Sequence, residues 1–187
     1  AVASFLQNRN GVGQTIVVRI NPLSRVCGLQ DLAALAGLNA DCILVPKVES
    51  AAHIHAVASV LDDVGSSTRI AALIESARGV SACAEIAMGG QRLDFLMFGA
   101  ADYAADMGQK VGTFHPHHAQ ATLVNAAAAG GIVAIDSPFF AIDEPDDLKR
   151  DCVSGRSMGF HGKAAIHPSQ VSVISDTYAP TQEDRDY

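Results

Sequence analysis

Six short, unbroken apolar runs, each followed by room for one helix, constrain the fold of this chain more than any other feature. They are residues 15–20 (TIVVRI), 42–45 (CILV), 69–74 (RIAALI), 93–98 (LDFLMF), 132–135 (IVAI) and 163–166 (KAAI). A strand packed on one face alternates apolar and polar residues, whereas a continuous apolar run reads as a strand covered on both faces, as in a parallel sheet. No hairpin signal stands between consecutive runs. The segments between them carry helical spacing and helix stops. Helices are expected over residues 1–10 (stopped by the Gly11–Gly13 turn), over 29–38 (ending at Asn39), and from an N-cap at Ser50 through Leu61. Further helices are expected from a cap at Ser76 to Met88 before Gly89-Gly90, over 122–129 before Gly130-Gly131, and from Asp143 and Pro145 to Gly155–Gly159. A short one follows His167-Pro168. This β-α rhythm leaves two architectures, an open doubly wound sheet or a (β/α)₈ barrel. At 187 residues the length favours the open sheet, because a barrel normally takes about 250.

Two of the runs end in an acid. IAALIESARG (residues 70–79) turns at Glu75, and LDFLMFGAADYAADMG (residues 93–108) turns at Asp102. Carboxylates at the carboxyl ends of neighbouring parallel strands lie where α/β folds place their chemistry, and two of them could share one divalent cation. Each acid alone reads equally well as a helix N-terminal residue favoured by the dipole.

Composition excludes several functions. The net charge of −7 lacks the basic face of a nucleic-acid binder and disfavours anionic membranes. No apolar run approaches the roughly 20 residues that span a bilayer, and the start, AVASFLQNRNG, lacks the pattern of a signal peptide. Cys27, Cys42, Cys83 and Cys152 have no C-x-x-C spacing and read as reduced thiols of a cytoplasmic protein.

Six motifs sharpen this reading: VRINPL, ILVPKVES, ALIESARGV, FGAADYAADMG, AIDSPFF and GKAAIHPSQV, in this order and each at a strand end. Together they resemble the citrate lyase β-subunit family, within the superfamily of metal-dependent 2-keto acid aldolases and malyl-CoA-type lyases. The resemblance runs from about Val17 to Pro180. It implies a (β/α)₈ TIM barrel in place of the open sheet, here incomplete, with the six runs as strands three to eight. The first two βα units, with an acidic D-L-E-D type motif, and the family's C-terminal extension lie outside the chain, which forms a single domain over residues 1–187. The segment between Met107 and His118 is shorter than the family's.

The resemblance implies a Mg²⁺-dependent carbon–carbon lyase that works beside a short acyl-CoA thioester or 2-keto acid through a metal-stabilised enolate. Glu75 and Asp102 then match the Mg²⁺ ligands, with waters and substrate oxygens completing an octahedron. Arg19 is the catalytic candidate, its guanidinium suited to a substrate carboxylate or a developing enolate oxygen. Gly99, Ala100 and Ala101 are expected to present helix-start amides to a carboxylate, and Asp136 to line the pocket. Ser137–Phe140 are expected at its entrance. A general base is not identifiable; in the family it comes from the missing N-terminal motif or a neighbouring subunit. Lys47 or Lys163 could instead form a Schiff base without metal. His115, His117 and His118 read as a solvated loop, since Mg²⁺ prefers oxygen ligands, and His167 as a capping or pocket-lining residue. A homo-oligomer, trimer or hexamer, is expected. The competing reading is a catalytically incomplete relative that binds CoA esters or keto acids, or serves as an assembly partner.

Overall fold

The computed structural model describes residues 2–8, 13–38, 40–110, 114–182 and 184. The Gly11–Gly13 turn, the end of the first expected helix, the stop at Asn39 and the loop at Gly112 lie wholly or partly outside them. The first half runs α1 (Val2–Asn8), β1 (Val17–Arg19), α2 (Val26–Ala36), β2 (Cys42–Val45), α3 (Ala51–Asp63) and β3 (Arg69–Ile74). It continues through α4 (Ala77–Ser81), α5 (Cys83–Ala87), β4 (Leu93–Phe98), α6 (Ala100–Asp106) and α7 (His117–Gly130). The chain then forms β5 (Val133–Asp136), α8 (Pro145–Met158), β6 (Gly162–Lys163), a 3₁₀ turn at Pro168–Gln170 and α9 (Val171–Tyr178).

All six strands are parallel, and their order in the sheet is their order in the chain, β1 to β6. A doubly wound sheet reverses its strand order at a switch point; none occurs here, so the open sheet favoured by length is corrected. The sheet curls. Arg19 at the end of β1 and Ala164, Ala165 and Ile166 beyond β6 line one cavity with Leu44, Leu73 and Met97 from the strands between.

Strand parity divides the apolar residues into two layers. Ile43, Val45, Ile70, Ala72, Ile74, Leu96 and Phe98 face outward and join the helices in the main core. Cys42, Leu44, Ala71 and Leu73 face inward and form a smaller cluster with Phe95 and Met97. β2 is buried throughout and β3 nearly so, as continuous apolar runs predict. β1 and β5 depart from that expectation, since Val17 and Val133 on the inner face remain 40% and 38% exposed. Among the described residues no strand lies beyond β1 or β6.

Local details correct several expected caps. Ser76 caps α4 as expected, its hydroxyl accepting from the Gly79 amide at 3.1 Å. Ser50 precedes α3 but makes no side-chain cap; the Ala51 amide donates instead to Glu85 Oε1 at 3.2 Å. Glu144, not Asp143, stands at the N-cap of α8, with Pro145 in the first turn. The expected helix from Ser76 to Met88 breaks in two at Ala82. Gly131 (φ 65°) and Gly159 (φ 109°) stop α7 and α8 in the left-handed region that favours glycine.

The layering makes a direct prediction. Ile43→Ala, at a fully buried outward site, should cost about 2–5 kcal/mol in chemical denaturation. Val17→Ala, on the open inner face, should cost under about 1 kcal/mol.

Candidate functional site

The strand ends bring the two acids together. The pairing of β3 with β4 aligns Leu73 with Met97 and Ile74 with Phe98, and the Gly99 amide extends the ladder by donating to the Ile74 carbonyl at 2.9 Å. Glu75 thus stands beside Gly99, and each directly follows an outward-facing residue, Ile74 or Phe98, so strand parity turns both inward. Glu75 is only 5% exposed, whereas the Asp102 side chain, in the first turn of α6, is 57% exposed. The two carboxyl groups are within hydrogen-bonding reach of each other. Burial, the Asp102 hydrogen bond and the Asp102 charge push Glu75 up to about 7, against an opposing pull from Lys47.

Gly99 has a steric role that sequence reasoning missed. A Cβ there would lie 2.5 Å from Glu75 Cβ and 2.9 Å from Glu75 Oε2. The glycine leaves the space that the Glu75 side chain fills. Its amide is engaged with Ile74, so it is not a donor to a bound anion, which corrects one part of the expected amide cradle. Ala100 and Ala101 remain at the start of α6, where backbone N–H groups have no intrahelical acceptor. Both line the cavity.

Neighbouring loops hold this arrangement. The Lys47 amide donates to Glu75 Oε1 at 3.1 Å, and Lys47 Nζ lies 3.6 Å from Asp102 Oδ1. Ser76 donates to Glu49 Oε1 at 2.7 Å, and the Ala77 amide donates to Asp106 Oδ2 at 2.7 Å, tying the start of α4 to α6. Two cavities meet at the acids. One, of about 360 Å³, runs over the inner face, walled by Leu44, Leu73 and Met97 and rimmed by Pro138 and Phe140. The other, of about 250 Å³, is polar and includes Asn21 and Lys47. Arg19, Glu75 and Asp102 line both. Pro138 and Phe140 therefore stand at the rim where the Ser137–Phe140 segment is expected.

Asp136 does not join them. Ile135, aligned with inward-facing Met97, points into the sheet's concave side, so Asp136 points outward. There it is 1% exposed and accepts from Lys163 Nζ at 2.5 Å and Gln120 Nε2 at 3.0 Å. Lys163 also pairs with Asp151 at 2.6 Å. Burial works to lower the Lys163 ammonium, but the two aspartates outweigh it and hold it above its ordinary value. An amine held charged is a poor Schiff-base nucleophile. Asp136 instead fixes both rims of the site: its carboxylate accepts from the Ser137 amide at 2.8 Å and its carbonyl from the Ala164 amide at 3.0 Å.

The remaining candidates lie apart from the acids. His115 and His117 are exposed, with ring centroids 6.0 Å apart, beside a third cavity. His167 caps the 3₁₀ turn, accepting from the Ser169 amide at 3.3 Å. Burial pushes the Cys42 and Cys83 thiols up to about 12, which keeps them protonated near neutrality. Among the described residues no group of three or more His, Cys, Asp or Glu could hold a metal. The acid pair meets a lesser demand, that of a hard cation taking one or two carboxylates and completing its shell with water and substrate oxygens. Among the described residues no helix is long and apolar enough to cross a membrane.

Comparison with known proteins agrees with the geometry. Residues 1–168 match the model of the HpcH/HpaI aldolase/citrate lyase family. The chain belongs to this family. The resemblance carried by the six motifs is thereby borne out. A (3S)-malyl-CoA thioesterase of Cereibacter sphaeroides is 35% identical over 170 residues, covering 88% of this family member and 57% of the relative. The citrate lyase subunit beta of Leuconostoc mesenteroides subsp. cremoris is 32% identical over 198 residues, covering 98% and 64%. This member thus spans less than two thirds of the length of these curated relatives. Among solved structures, RipC from Yersinia pestis superposes with a TM-score of 0.85 at 38% identity, covering 90% of this chain and 79% of that one. The protein CitE from Mycobacterium tuberculosis, in complex with magnesium and acetoacetate, gives 0.78 at 31% identity, covering 88% and 68%.

Three outcomes follow from this geometry. Because the folded Glu75 holds its proton more tightly than an ordinary carboxyl at 4.5, cation-free protein should lose stability as pH rises from 4.5 to about 7 and then level off. Thermal melting in EDTA should show that slope, and Glu75→Gln should flatten it. Gly99→Ala, which forces the Glu75 side chain aside, should weaken divalent-cation binding by at least about tenfold while the circular dichroism spectrum stays native. Lys163→Met should cost roughly 3–5 kcal/mol in denaturation, because it strands two aspartates, one of them fully buried.

Proposed function

We propose that this protein is a Mg²⁺-dependent carbon–carbon lyase of the citrate lyase β-subunit type, which cleaves or forms a bond beside a short acyl-CoA thioester or 2-keto acid. In this reading the curled sheet is the six-strand arc, strands three to eight, of a (β/α)₈ barrel. The observation that carries the proposal is the meeting of Glu75 and Asp102 at the ends of β3 and β4, in a cavity that also holds Arg19. Two carboxyls that line the same two cavities form an all-oxygen donor set that suits a hard divalent cation. The likeness to CitE supports the choice, since that complex contains magnesium and acetoacetate.

The chain's own residues divide the work. Glu75 and Asp102 would hold Mg²⁺, which when bound supplies Lewis-acid polarisation of the substrate carbonyl. Arg19 faces the same space with a permanent charge and a planar fork, suited to a substrate carboxylate or the oxygen on which charge develops. The amides of Ala100 and Ala101 can take a second carboxylate oxygen. Leu44, Leu73 and Met97 form an apolar wall that excludes water and strengthens each of these electrostatic contacts.

A second reading has its own support. Apart from Glu75 and Asp102, the described residues lining the main cavity include no acid or imidazole to serve as general base. A chain that binds CoA esters or keto acids without turning them over fits that lining. Hydrolysis of the thioester, the activity in the name of the Cereibacter sphaeroides relative, is the alternative among active enzymes.

One assay separates the three. With Mg²⁺ and malyl-CoA or citryl-CoA, a lyase releases acetyl-CoA and a keto acid, a thioesterase releases free CoA thiol, and a binder releases neither. The lyase products are expected, with Glu75→Gln and Asp102→Asn each lowering kcat/KM by at least about 100-fold. Undiminished turnover in both variants would remove the acids from the reaction.

A further inference from the structure

Lys47 stands apart from the rest of the described chain in its backbone. Its φ is 53°, the single positive value at a described non-glycine residue. A side-chain-bearing residue held there is strained, and such strain persists where the surroundings over-determine it. At Lys47 the surroundings are the acid pair. The left-handed turn, two residues past the end of β2, aims the Lys47 amide at Glu75 Oε1 (3.1 Å). The following amide, of Val48, returns to the sheet by donating to the Leu73 carbonyl at 3.3 Å. The side chain leaves toward the other acid, with Nζ 3.6 Å from Asp102 Oδ1. One residue therefore reaches both carboxyls, one with its backbone and the other with its ammonium. That side chain is 50% exposed and borders the polar cavity with Asn21 and Pro46, so it can move aside without disturbing the core.

We propose that Lys47 is a positioning residue with two separable parts: a left-handed backbone that fixes the Glu75 carboxylate through its amide, and an ammonium that is the resident counter-ion of Asp102 and gives way to a divalent cation. The inference rests on the reading of Glu75 and Asp102 as a cation site. Two adjacent carboxylates repel, and one ammonium at Asp102 offsets part of that repulsion. A divalent cation brings twice the charge and repels the ammonium in turn. The lysine thus stabilises the cation-free pair and competes with the cation that the pair would bind.

The test is isothermal titration of the full chain with MgCl₂ and with MnCl₂ at pH 8, on wild type, Lys47→Met, Lys47→Gly, Lys47→Arg and Asp102→Asn. Lys47→Met and Lys47→Gly should bind the cation roughly three- to tenfold tighter than wild type, the effect of removing one half-exposed charge from beside a divalent ion. Lys47→Arg, which keeps the charge, should stay near wild type. Lys47→Gly should also melt about 2–4 °C above Lys47→Met, because glycine takes the same φ without strain. Unchanged or weaker binding in both neutral variants overturns the counter-ion, and equal melting temperatures overturn the strained backbone. Binding that is lost in Asp102→Asn but unmoved by every Lys47 variant removes this inference alone. Absence of binding in wild type, or equal binding in Asp102→Asn, removes the cation site and this inference with it.

Discussion

Two carboxyl groups brought within hydrogen-bonding reach of each other are the constraint on which the rest of this structure turns. Glu75 and Asp102 repel when both are ionised, and the buried one answers by keeping its proton to about pH 7. The chain spends local structure to hold them there. Gly99 gives up a side chain so that Glu75 has room, Lys47 takes a strained backbone so that an amide meets Glu75, and Asp106 secures the start of α4. Arrangements that cost stability and serve no packing need are the mark of a working site.

The fold supplies the frame. Parallel strands in sequential order put six carboxyl ends on one rim, and the register of β3 against β4 sets Glu75 beside Gly99. The outward residues Ile43, Ile70, Ile74, Leu96 and Phe98 lock that register against the helices. A slip of one residue would turn Glu75 into the apolar core. The triad of Lys163, Asp136 and Asp151 holds the far rim in the same way, with opposite charges in place of apolar contact. Asp136 holds the Ser137 and Ala164 amides, and Ala164, with Pro138 next to Ser137, borders the main cavity.

Much of this was legible in the sequence, for physical reasons. Strands buried on both faces leave continuous apolar runs, so all six were found within a few residues, and helix stops at Gly131 and Gly159 read directly because left-handed backbone favours glycine. Strand parity was not legible at β5, since a four-residue run in IVAID gives no alternation from which to tell which face Asp136 takes. Length misled on topology because it says nothing of strand order. The reason for Gly99 lies in a side chain 24 positions away, and the strain at Lys47 lies in a dihedral angle; neither leaves a mark in composition or spacing. Ser50 looked like a cap and is not one, because Glu85 from another helix reaches the same amide.

The most direct test of the central claim is an anomalous difference map from crystals of this protein grown with MnCl₂ and pyruvate. One strong peak is expected at bonding distance, about 2.0–2.3 Å, from carboxylate oxygens of both Glu75 and Asp102, with pyruvate on its open side toward Arg19. A map with no peak there, or with the manganese elsewhere while the two carboxyls still face each other, would contradict it.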